Sequence, residues 1–438
     1  MRKVLIGITT FSLVLAGATS VFAGAAVNKT NWSAEYIRTL NRNAATDYAD
    51  IAAFNPAGTV KMTDGLTING SVQYLDKDYK NQVDGKHFKS DKSSTFPGVF
   101  AVYKKDRWTL FSSFTFVGGG GEVDWEDGSV TTMNIGILPD RKVDGLVQQG
   151  GGDPAPLGTY YNFPPANQHI RGKSYDLGYA FGGAYAINDI FSVSAAIRYV
   201  DGTYEAKGSV TSTPTPTGAF LTGNPDPVTS KVDFDQDADG WGAIFGINIA
   251  PNERLNIGAR FETKTDLEFD TDVNEDTNGI LPLLGIEDGE KYNKDLAPSL
   301  GVGVSYWLTE KLRMETNLTV YFNEKADWEG SEDDVDNGYD AGVALEYHFN
   351  DSLLASIGYM HTELGFNAED MLPDNPELNA NTLGGGIAYA YNQKFHINLG
   401  IGHTWYEDDD FVSSLTGFKI EYEKDITFLA FGLEYRFM

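Results

Sequence analysis

The feature that most constrains this chain is a strict alternation of apolar and polar side chains in many separate short segments. In the first such segment, the apolar residues are Leu66, Ile68, Val72 and Tyr74, and the polar residues between them are Thr67, Asn69, Ser71 and Gln73. Successive side chains of a β-strand point to opposite faces, whereas a helix places its apolar residues three and four apart. The alternation therefore predicts strands that have one apolar and one polar face.

The pattern recurs in segments that begin at Leu255, Leu312, Phe395 and Leu429. Several soluble all-β domains are the alternative interpretation, and they would need dry inner faces and linkers. Charged residues such as Glu315 occupy the polar face instead, and burying such charges unpaired is costly. A membrane barrel accepts them, because its lumen is polar and its outer face meets lipid.

The connections between the segments give a strand count. Six tight turns are predicted at Lys105-Asp106, Asn188-Asp189, Pro251-Asn252, Thr309-Glu310, Asn350-Asp351 and Asn392-Gln393. Seven longer polar connections lie at about 80–94, 118–168, 209–231, 271–291, 326–337, 364–379 and 407–420. Six short turns that alternate with seven long loops require fourteen strands, with all short turns on one side. We therefore predict an all-β fold, a 14-stranded antiparallel transmembrane β-barrel.

Composition excludes several classes of function. The formal net charge of −29 argues against nucleic acid as a partner, because phosphates are bound by Lys and Arg. The chain has no cysteine, so it forms no disulfide and uses no thiol chemistry. Its 48 glycines and 13% aromatic residues are spread over many short segments, which is typical of a barrel.

The first residues predict export. Arg2 and Lys3 precede an apolar stretch at 4–15, and Val21-Phe22-Ala23 places small residues where a signal peptidase cleaves. An uncleaved anchor helix is the alternative, but the apolar stretch is shorter than the roughly 20 residues that span a bilayer. We expect residues 1–23 to be a cleaved signal peptide and the protein to lie in the cell outer membrane.

Residues 24–64 do not alternate. They contain two predicted helical pieces, at 33–41 and 44–53, followed by Asn55-Pro56-Ala57-Gly58. Segments of about forty residues rarely form a core of their own, and a wide barrel leaves a channel unless something fills it. We expect residues 24–64 to plug the lumen and residues 65–438 to form the barrel, although a disordered tail is the alternative.

The run at 44–58 resembles the plug, or hatch, signature of the FadL family of transporters, which includes the TodX-type hydrocarbon channels. The motif residues are Phe54, Asn55, Pro56, Ala57 and Gly58. The resemblance extends over residues 24–438, since family members carry this element ahead of fourteen strands. Two features depart from the family: the chain ends Phe437-Met438 rather than on the aromatic residue, and the loop at 118–168 is rich in Gly, Pro and Asp.

The resemblance implies passive transport of long-chain fatty acids or other hydrophobic small molecules by a monomer, without cofactor or catalysis. Substrate would be captured among the outer loops, held in the lumen, and released sideways into outer-membrane lipid near an inward kink of the third strand that faces Asn-Pro-Ala. For the kink and lateral gate we name Gly118, Gly119, Gly120 and Gly121, which could equally begin a flexible loop. For loop capture we name Ile135, Ile137, Leu138, Leu146, Val147, Tyr160, Tyr161 and Phe163, which could instead pack the loop on itself.

Other groups of residues give only weak predictions of a metal site or a catalytic site. The segment from Asp235 through Asp237 and Asp239 begins like a calcium loop, but its twelfth residue is Gly246 rather than Glu, so an EF-hand is rejected. The three aspartates remain weak candidates for a divalent cation. No Gly-x-Ser-x-Gly element accompanies the histidines, which argues against an enzyme. A general diffusion porin with an unusual N-terminus is the remaining alternative.

Overall fold

The computed structural model of the protein describes residues 33–414 and 416–437. Within them, the strand segments are β1 (Gly65–Val83), β2 (Lys86–Ser90), β3 (Ser94–Lys105), β4 (Trp108–Trp125), β5 (Ala166–Ala186), β6 (Phe191–Ser212), β7 (Val228–Asn252), β8 (Leu255–Glu262), β9 (Glu268–Asp276), β10 (Lys291–Asn293), β11 (Ser299–Trp307), β12 (Leu312–Tyr321), β13 (Gly338–Asn350), β14 (Leu353–Glu363), β15 (Ala380–Ala390), β16 (Phe395–Tyr406), β17 (Asp409–Val412) and β18 (Lys419–Phe437). The α-helices are α1 (Ala34–Thr39), α2 (Ile51–Phe54), α3 (Val130–Gln149) and α4 (Pro216–Thr222). Short 3-10 helices lie at Pro56–Lys61, Leu281–Leu284, Asn323–Lys325, Ser331–Asp334 and Ala368–Asp370.

The segments form one closed antiparallel sheet. β1 pairs with β18 from Leu66↔Phe437 to Val83↔Ile420, which joins the first strand to the last. Four strands are interrupted, so that β2 continues into β3, β8 into β9, β10 into β11, and β16 into β17. Counted this way, the described residues form the 14-stranded barrel that the sequence predicts.

The alternation places apolar side chains on the outside. On β1, Ile68 is 39% exposed and Tyr74 is 46% exposed, while the neighbouring Asn69 is fully buried. Tyr179 and Trp241 lie on the outer face towards the long loops, and Tyr185 and Tyr435 lie towards the short turns. An apolar band edged by aromatic side chains is the outer surface of a barrel that spans a membrane. Among the described residues, none of the helices has the length and apolarity to cross a bilayer.

The six tight turns are confirmed, but the predicted boundaries of most long loops are wrong. Only the loop at 364–379 has the predicted bounds. The regions 80–94, 118–168, 209–231, 271–291 and 407–420 all contain strand residues, and the connection predicted at 326–337 begins at residue 322. The strands extend beyond the lipid band, where an outer face no longer has to be apolar. Their outer residues are polar there, so the apolar–polar alternation that identifies a strand in the sequence is lost.

The projecting part of the barrel is large. β7 is 25 residues long, whereas a strand needs roughly 9–11 residues to cross the hydrocarbon core. Its outer residues change from Phe245 and Trp241 to Asp239, Asp237 and Asp235 as it leaves the band. α3 and α4 lie in the long connections beyond this projecting wall.

The N-terminal segment fills the half of the lumen next to the short turns. Residues 33–60 are almost all buried, and we call 33–62 the plug. Ser33 caps α1 by accepting a hydrogen bond from the backbone N–H of Tyr36, at 2.9 Å. The helix predicted at 44–53 is wrong except at its end, where α2 begins at Ile51. The backbone N–H groups of Ala44 and Ala49 donate instead to lumen carboxylates.

Ion pairs connect the plug residues to one another and to the wall. Within the plug, Arg42 contacts the carboxylates of Asp47 at 2.7 Å and Asp50 at 2.6 Å, and Arg38 of the plug contacts Glu346 of β13. Arg313 of β12 contacts Asp47 at 3.3 Å. These charged lumen residues explain the polar face of the alternating segments. The predicted signal peptide (1–23), residues 24–32 of the segment predicted to plug the lumen, Leu415 and Met438 lie outside the described residues.

Candidate functional site

The half of the lumen next to the long loops holds an apolar cavity of about 150 Å³. Its walls come from β4, β5, β6 and β7, and it is covered by α3, the 3-10 helix at Leu281–Leu284 and the loop segment 372–377. The apolar and aromatic lining residues are Val123, Trp125, Ile135, Ile170, Tyr204, Ala206, Val232, Phe234, Leu281, Leu284, Ile286, Tyr292, Leu372 and Pro373. An apolar cavity of this volume in another protein stays dry and binds benzene.

Polar and charged side chains complete the lining of the cavity: Thr131, Asn134, Arg171, Lys173, Ser174, Gln236, Lys294, Asp374, Asn375 and Glu377. The Lys294 ammonium donates to the side-chain oxygen of Gln236 at 2.9 Å, and it lies 5.1 Å from the centre of the Tyr204 ring. Glu377, in the loop at 364–379, also lines the cavity, and burial raises the pKa of its carboxyl to about 8 although Lys424 lowers it. Burial favours the neutral form of a carboxyl. Near neutral pH the Glu377 side chain therefore adds little charge to the cavity.

A defect in the barrel wall adjoins the cavity. β3 pairs with β4 only from Lys105↔Trp108 to Val99↔Phe114, although β3 itself continues back to Ser94 and remains paired with β1. On the other side of β4, the register with β5 shifts between Phe116 and Gly121. The hydrogen-bond ladder between β3 and β4 is thus interrupted at the outer edge of the apolar band.

The four predicted gate glycines form this defect. They do not begin a loop, because β4 continues to Trp125. Gly119 has φ +77° and Gly121 has φ +76°, a left-handed conformation that residues with a Cβ adopt at a cost. A Cβ on Gly121 would lie 2.4 Å from Ser94 Oγ, and one on Gly118 would lie 1.9 Å from a carboxylate oxygen of Asp176. Gly119, Gly120 and Gly121 line the cavity.

An aromatic cluster lies beside the defect and the cavity. Phe96 and Phe116 make an edge-to-face contact with ring centres 5.0 Å apart, and Tyr175 lies 5.5 Å from Phe116. Phe96 is buried, and a Cβ on Gly121 would lie 3.1 Å from its ring. The cavity, the glycines and the aromatic rings are therefore contiguous.

The hatch motif is built as a tight unit, away from this defect. The Asn55 side chain donates to the Ala45 carbonyl at 3.0 Å and to Asn248 of β7 at 2.8 Å. A Cβ on Gly58 would lie 2.4 Å from the Asn55 amide nitrogen, so glycine is required there. Pro56 begins a 3-10 helix, and Phe54 stacks on Tyr36.

The plug meets β4 at the opposite end from the glycines. The Ala57 carbonyl accepts from Ser192 Oγ of β6 at 2.7 Å, and the hydroxyls of Thr59 and Thr109 are 2.7 Å apart. Thr109 is at the start of β4, next to a short turn, whereas Gly118 lies far along the strand. The kink and the Asn-Pro-Ala element, which the resemblance places face to face, thus lie in different halves of the barrel.

The eight loop-capture residues do not form one surface. Ile135 alone among them lines the cavity, and it packs with Leu138 against β6 and β7. Tyr160 and Tyr161 are buried against Val143 and Val147, and Phe163 stacks on Phe418. Ile137 is buried and Leu146 is 62% exposed. Val147, Tyr160 and Tyr161 thus pack the loop on itself, whereas Ile135, Leu138 and Phe163 pack against other segments of the barrel.

The acidic candidates lie on the outer face of β7. Asp235 accepts a hydrogen bond from Asn274 at 2.8 Å, and Asp237 accepts one from the Thr203 hydroxyl at 3.1 Å. They belong to a regular strand rather than to the calcium-like loop that the spacing suggested. No group of three or more potential metal ligands occurs among the residues that the structure describes.

Sequence reasoning missed the cavity itself. Trp125 and the segment 372–377 lie in regions that were predicted to be loops, and Tyr204 and Phe234 belong to projecting strands whose outer faces are polar. The sequence does contain one signal for the cavity. Phe88, Phe96 and Trp125 occupy lumen-facing positions of the alternation, and aromatic residues on a lumen face indicate an apolar interior.

The fold has known counterparts. A Pseudomonas aeruginosa FadL homologue aligns with a TM-score of 0.64 at 14% identity, covering 95% of this chain and all of that chain. The P. putida toluene transporter TodX aligns with a TM-score of 0.62 at 15% identity (93% and 99% coverage), and the Ralstonia pickettii toluene transporter TbuX with 0.61 at 14% (94% and 100%). This chain has the FadL and TodX barrel fold. The resemblance inferred from the hatch motif is confirmed at that level.

The sequence comparisons are more limited. Residues 288–417 match a protein family described as "Putative MetA-pathway of phenol degradation". The match covers less than half of the chain, from the second half of the barrel. No curated protein sequence matches the chain.

Proposed function

We propose that this FadL-fold barrel is a passive outer-membrane channel for hydrophobic small molecules, which enter the loop-side cavity and leave sideways through the defect in the wall beside β4. The observation that carries the proposal is the contiguity of an apolar cavity with the Gly118–Gly121 bulge. Each CH₂ group removed from water contributes about 0.8 kcal/mol, so an apolar solute favours a path that leads from the cavity directly into lipid.

The plug supports sideways rather than straight passage. Below the cavity, the lumen is filled by residues 33–62, which ion pairs link to one another and to β12 and β13. An apolar molecule would have to break these pairs to reach the short-turn side. The plug therefore also argues against a general diffusion porin, whose lumen is open to water.

The size of the cavity favours a compact aromatic substrate. Its volume of about 150 Å³ is that of a known benzene-binding cavity, and its lining includes Trp125, Tyr204 and Phe234. TodX and TbuX, which share the fold, are named as toluene transporters. We therefore propose a monoaromatic compound as the preferred substrate.

A long-chain fatty acid is the second candidate. Its carboxylate would meet the Lys294 ammonium in the cavity, and its chain would extend along the rings of Phe96 and Phe116 towards the wall. A substrate of that length occupies more than the cavity alone, so it requires the defect to be open while it binds.

A binding experiment tests the cavity. Leu284 and Leu283 are adjacent on one 3-10 helix, but Leu284 lines the cavity whereas Leu283 is 43% exposed. Leu284→Trp should fill the cavity and weaken saturable toluene binding at least roughly ten-fold, because the ligand loses most of its buried contact. The matched control Leu283→Trp should bind like the wild type.

Competition between toluene and oleate on the purified barrel then separates the two candidates. Tighter binding of oleate, with Lys294→Met weakening oleate but not toluene, would favour the fatty acid. Absence of any saturable hydrophobic ligand would refute the proposed function. Deletion of residues 24–58 should make the barrel leaky in planar bilayers, and unchanged conductance would refute the plug.

A further inference from the structure

Two buried lysines connect the wall defect to the loop that covers the cavity. Lys77 lies on β1 and Lys424 on β18, which are paired with each other at the closure of the barrel. Both side chains point into the lumen and are almost fully buried. Neither lysine lines the cavity, although Lys424 is close enough to Glu377 to lower the pKa of its carboxyl.

Lys77 holds the bulge of β4. Its ammonium donates to the carbonyl oxygens of Gly120, at 3.1 Å, and of Glu122. Beyond Phe114, β4 has left the ladder with β3, so peptide groups of this stretch need other partners. An unsatisfied peptide group next to lipid is costly, and an ammonium is a strong donor to a carbonyl. Lys77 therefore stabilises the inward position of the bulge.

Where β4 approaches β2 and β3 again, side chains replace the missing backbone hydrogen bonds. The backbone N–H of Glu122 donates to Ser94 Oγ at 3.2 Å, and that of Asp124 donates to Ser90 Oγ at 2.9 Å. The defect is thus bounded by backbone pairing on one side and by these two serines on the other. Lys77 contacts the bulge between those boundaries.

Lys424 holds the loop segment 372–377. Its ammonium donates to the side-chain oxygen of Asn375 at 2.9 Å and to the carbonyl of Pro376 at 3.1 Å. Asn81 of β1 adds a hydrogen bond to the Pro373 carbonyl at 2.8 Å. The segment that covers the cavity is therefore attached to β1 and β18, the same two strands that carry the lysines.

The two attachments share two residues. The Lys77 and Lys424 ammonium groups lie 5.6 Å and 4.7 Å from the centre of the Tyr79 ring, a cation–π arrangement for both. Asn375, which accepts from Lys424, also lies against the bulge: its amide nitrogen would be 2.6 Å from a Cβ on Gly120. A displacement of either the loop or the bulge must therefore disturb the other.

We propose that Lys77 and Lys424 are paired positioning residues that couple the 372–377 segment to the β4 bulge, so that the cover of the cavity and the opening in the wall move together. This inference rests on the proposed function for its meaning in transport. The coupling itself is a property of the free barrel, and it can be measured without a ligand.

Transfer of toluene into the bilayer of proteoliposomes tests the consequence. Lys77→Met and Lys424→Met should each slow transfer roughly ten-fold, the size expected for losing charge-assisted hydrogen bonds. Because the two lysines act on one coupled element, the double variant should be no slower than the slower single variant. Multiplied effects, or a Lys77→Met variant as fast as the wild type, would overturn the proposal.

Two further variants separate positioning from general stability. Lys77→Arg keeps donors for the two carbonyls and should retain most of the transfer rate. Lys80→Met is the matched control: Lys80 lies on the outer face of the same strand and forms only exposed pairs with Asp78 and Glu423, at 3.4 and 3.5 Å. If Lys77→Met does not assemble, as shown by its mobility in heated and unheated gels, Asn375→Leu takes its place.

Distance measurements decide the coupling without a ligand. The chain has no cysteine, so spin labels can be placed at single introduced cysteines. Labels at Glu369, in the loop, and at Asp351, in a short turn, should show a broader distance distribution in Lys77→Met than in the wild type, although Lys77 bonds to β4 and not to the loop. An unchanged distribution overturns the coupling, whereas absent toluene transfer in the wild type refutes the proposed function instead.

Discussion

The pairing of Arg42 with Asp50 gives the sharpest test of how the plug is held. Both side chains are fully buried, and the guanidinium binds the carboxylate through two hydrogen bonds of 3.0 and 2.6 Å. Burial raises the pKa of the Asp50 carboxyl, and Arg42 lowers it. Arg42→Met removes the lowering effect, so the seated plug must then hold Asp50 in its neutral form.

The cost follows from the proton that Asp50 must bind. Protonating a carboxyl of ordinary pKa at pH 7 costs about 4 kcal/mol, since each pH unit contributes about 1.4 kcal/mol. Breaking a buried ion pair by removing one partner typically costs about 3–5 kcal/mol, in agreement. The equilibrium for release of the plug should therefore shift by roughly a thousand-fold at pH 7. Asp47 adds little, because it retains Arg313.

The sign of the pH dependence is fixed by the same argument. In Arg42→Met the pKa of Asp50 is raised in the seated state, so seating is favoured at low pH and weakens as the pH rises towards that pKa. Leak conductance in planar bilayers should thus increase from pH 5 to pH 8 in this variant. The double variant Arg42→Met/Asp50→Asn should lose this added pH dependence and show only that of the wild type, because an amide does not titrate.

Two comparisons complete the experiment. Lys61→Met is the control, since Lys61 is an exposed plug cation whose hydrogen bond goes to the Asp189 carbonyl, and its conductance should match the wild type. Deletion of residues 24–58 gives the conductance of a barrel without its plug. A leak in Arg42→Met that changes with pH no more than the leak of the wild type would show that the ion pair does not keep the plug seated.

Three further predictions concern other parts of the barrel. Burial, with contributions from Asp50 and Glu434, raises the pKa of the plug residue Glu35 to about 8, so seating in the wild type should weaken as the pH rises towards 8 and level off above it, and Glu35→Gln should remove this pH dependence of the leak. Gly121→Ala places a Cβ at a left-handed position against Ser94, at a cost of about 1–2 kcal/mol; toluene transfer should fall although the barrel assembles, while Gly70→Ala, with open space at its Cβ, should change nothing. Phe245→Arg puts a charge on the lipid face and should lower the free energy of unfolding by about 2–4 kcal/mol in urea titrations, whereas Val412→Arg, on the exposed segment β17, should have little effect.

The barrel could be predicted from the sequence because lipid and lumen impose opposite demands on neighbouring residues. At Ile68 and Asn69 the two demands are met by successive side chains, and turn-forming pairs such as Asn350-Asp351 mark where the chain reverses. The demand for an apolar outer face ends at the edge of the band. Beyond Trp241 the outer residues of β7 are aspartates, so the sequence pattern predicts loops where the strands project.

The candidate site was less predictable because it depends on contacts between distant segments. The glycines at 118–121 were named from the sequence, but their neighbours Asn375 and Ser94 come from other parts of the chain. Lys77 and Lys424 are brought together only when β1 pairs with β18. A buried lysine on a lumen face has no pattern that distinguishes it from a lysine in a water-filled pore.

The two halves of the lumen have opposite affinities. The half next to the long loops is an apolar cavity, and the half next to the short turns is filled by ion-paired residues of the plug and the surrounding wall. The apolar cavity disfavours ions, and the ion-paired plug disfavours apolar molecules. Neither kind of solute can therefore cross the full length of the lumen. If the proposed lateral passage operates, the barrel can remain sealed to electrolyte while a hydrocarbon passes through the defect in its wall. Excluding ions while a hydrocarbon passes would then require neither movement of the plug nor an energy source.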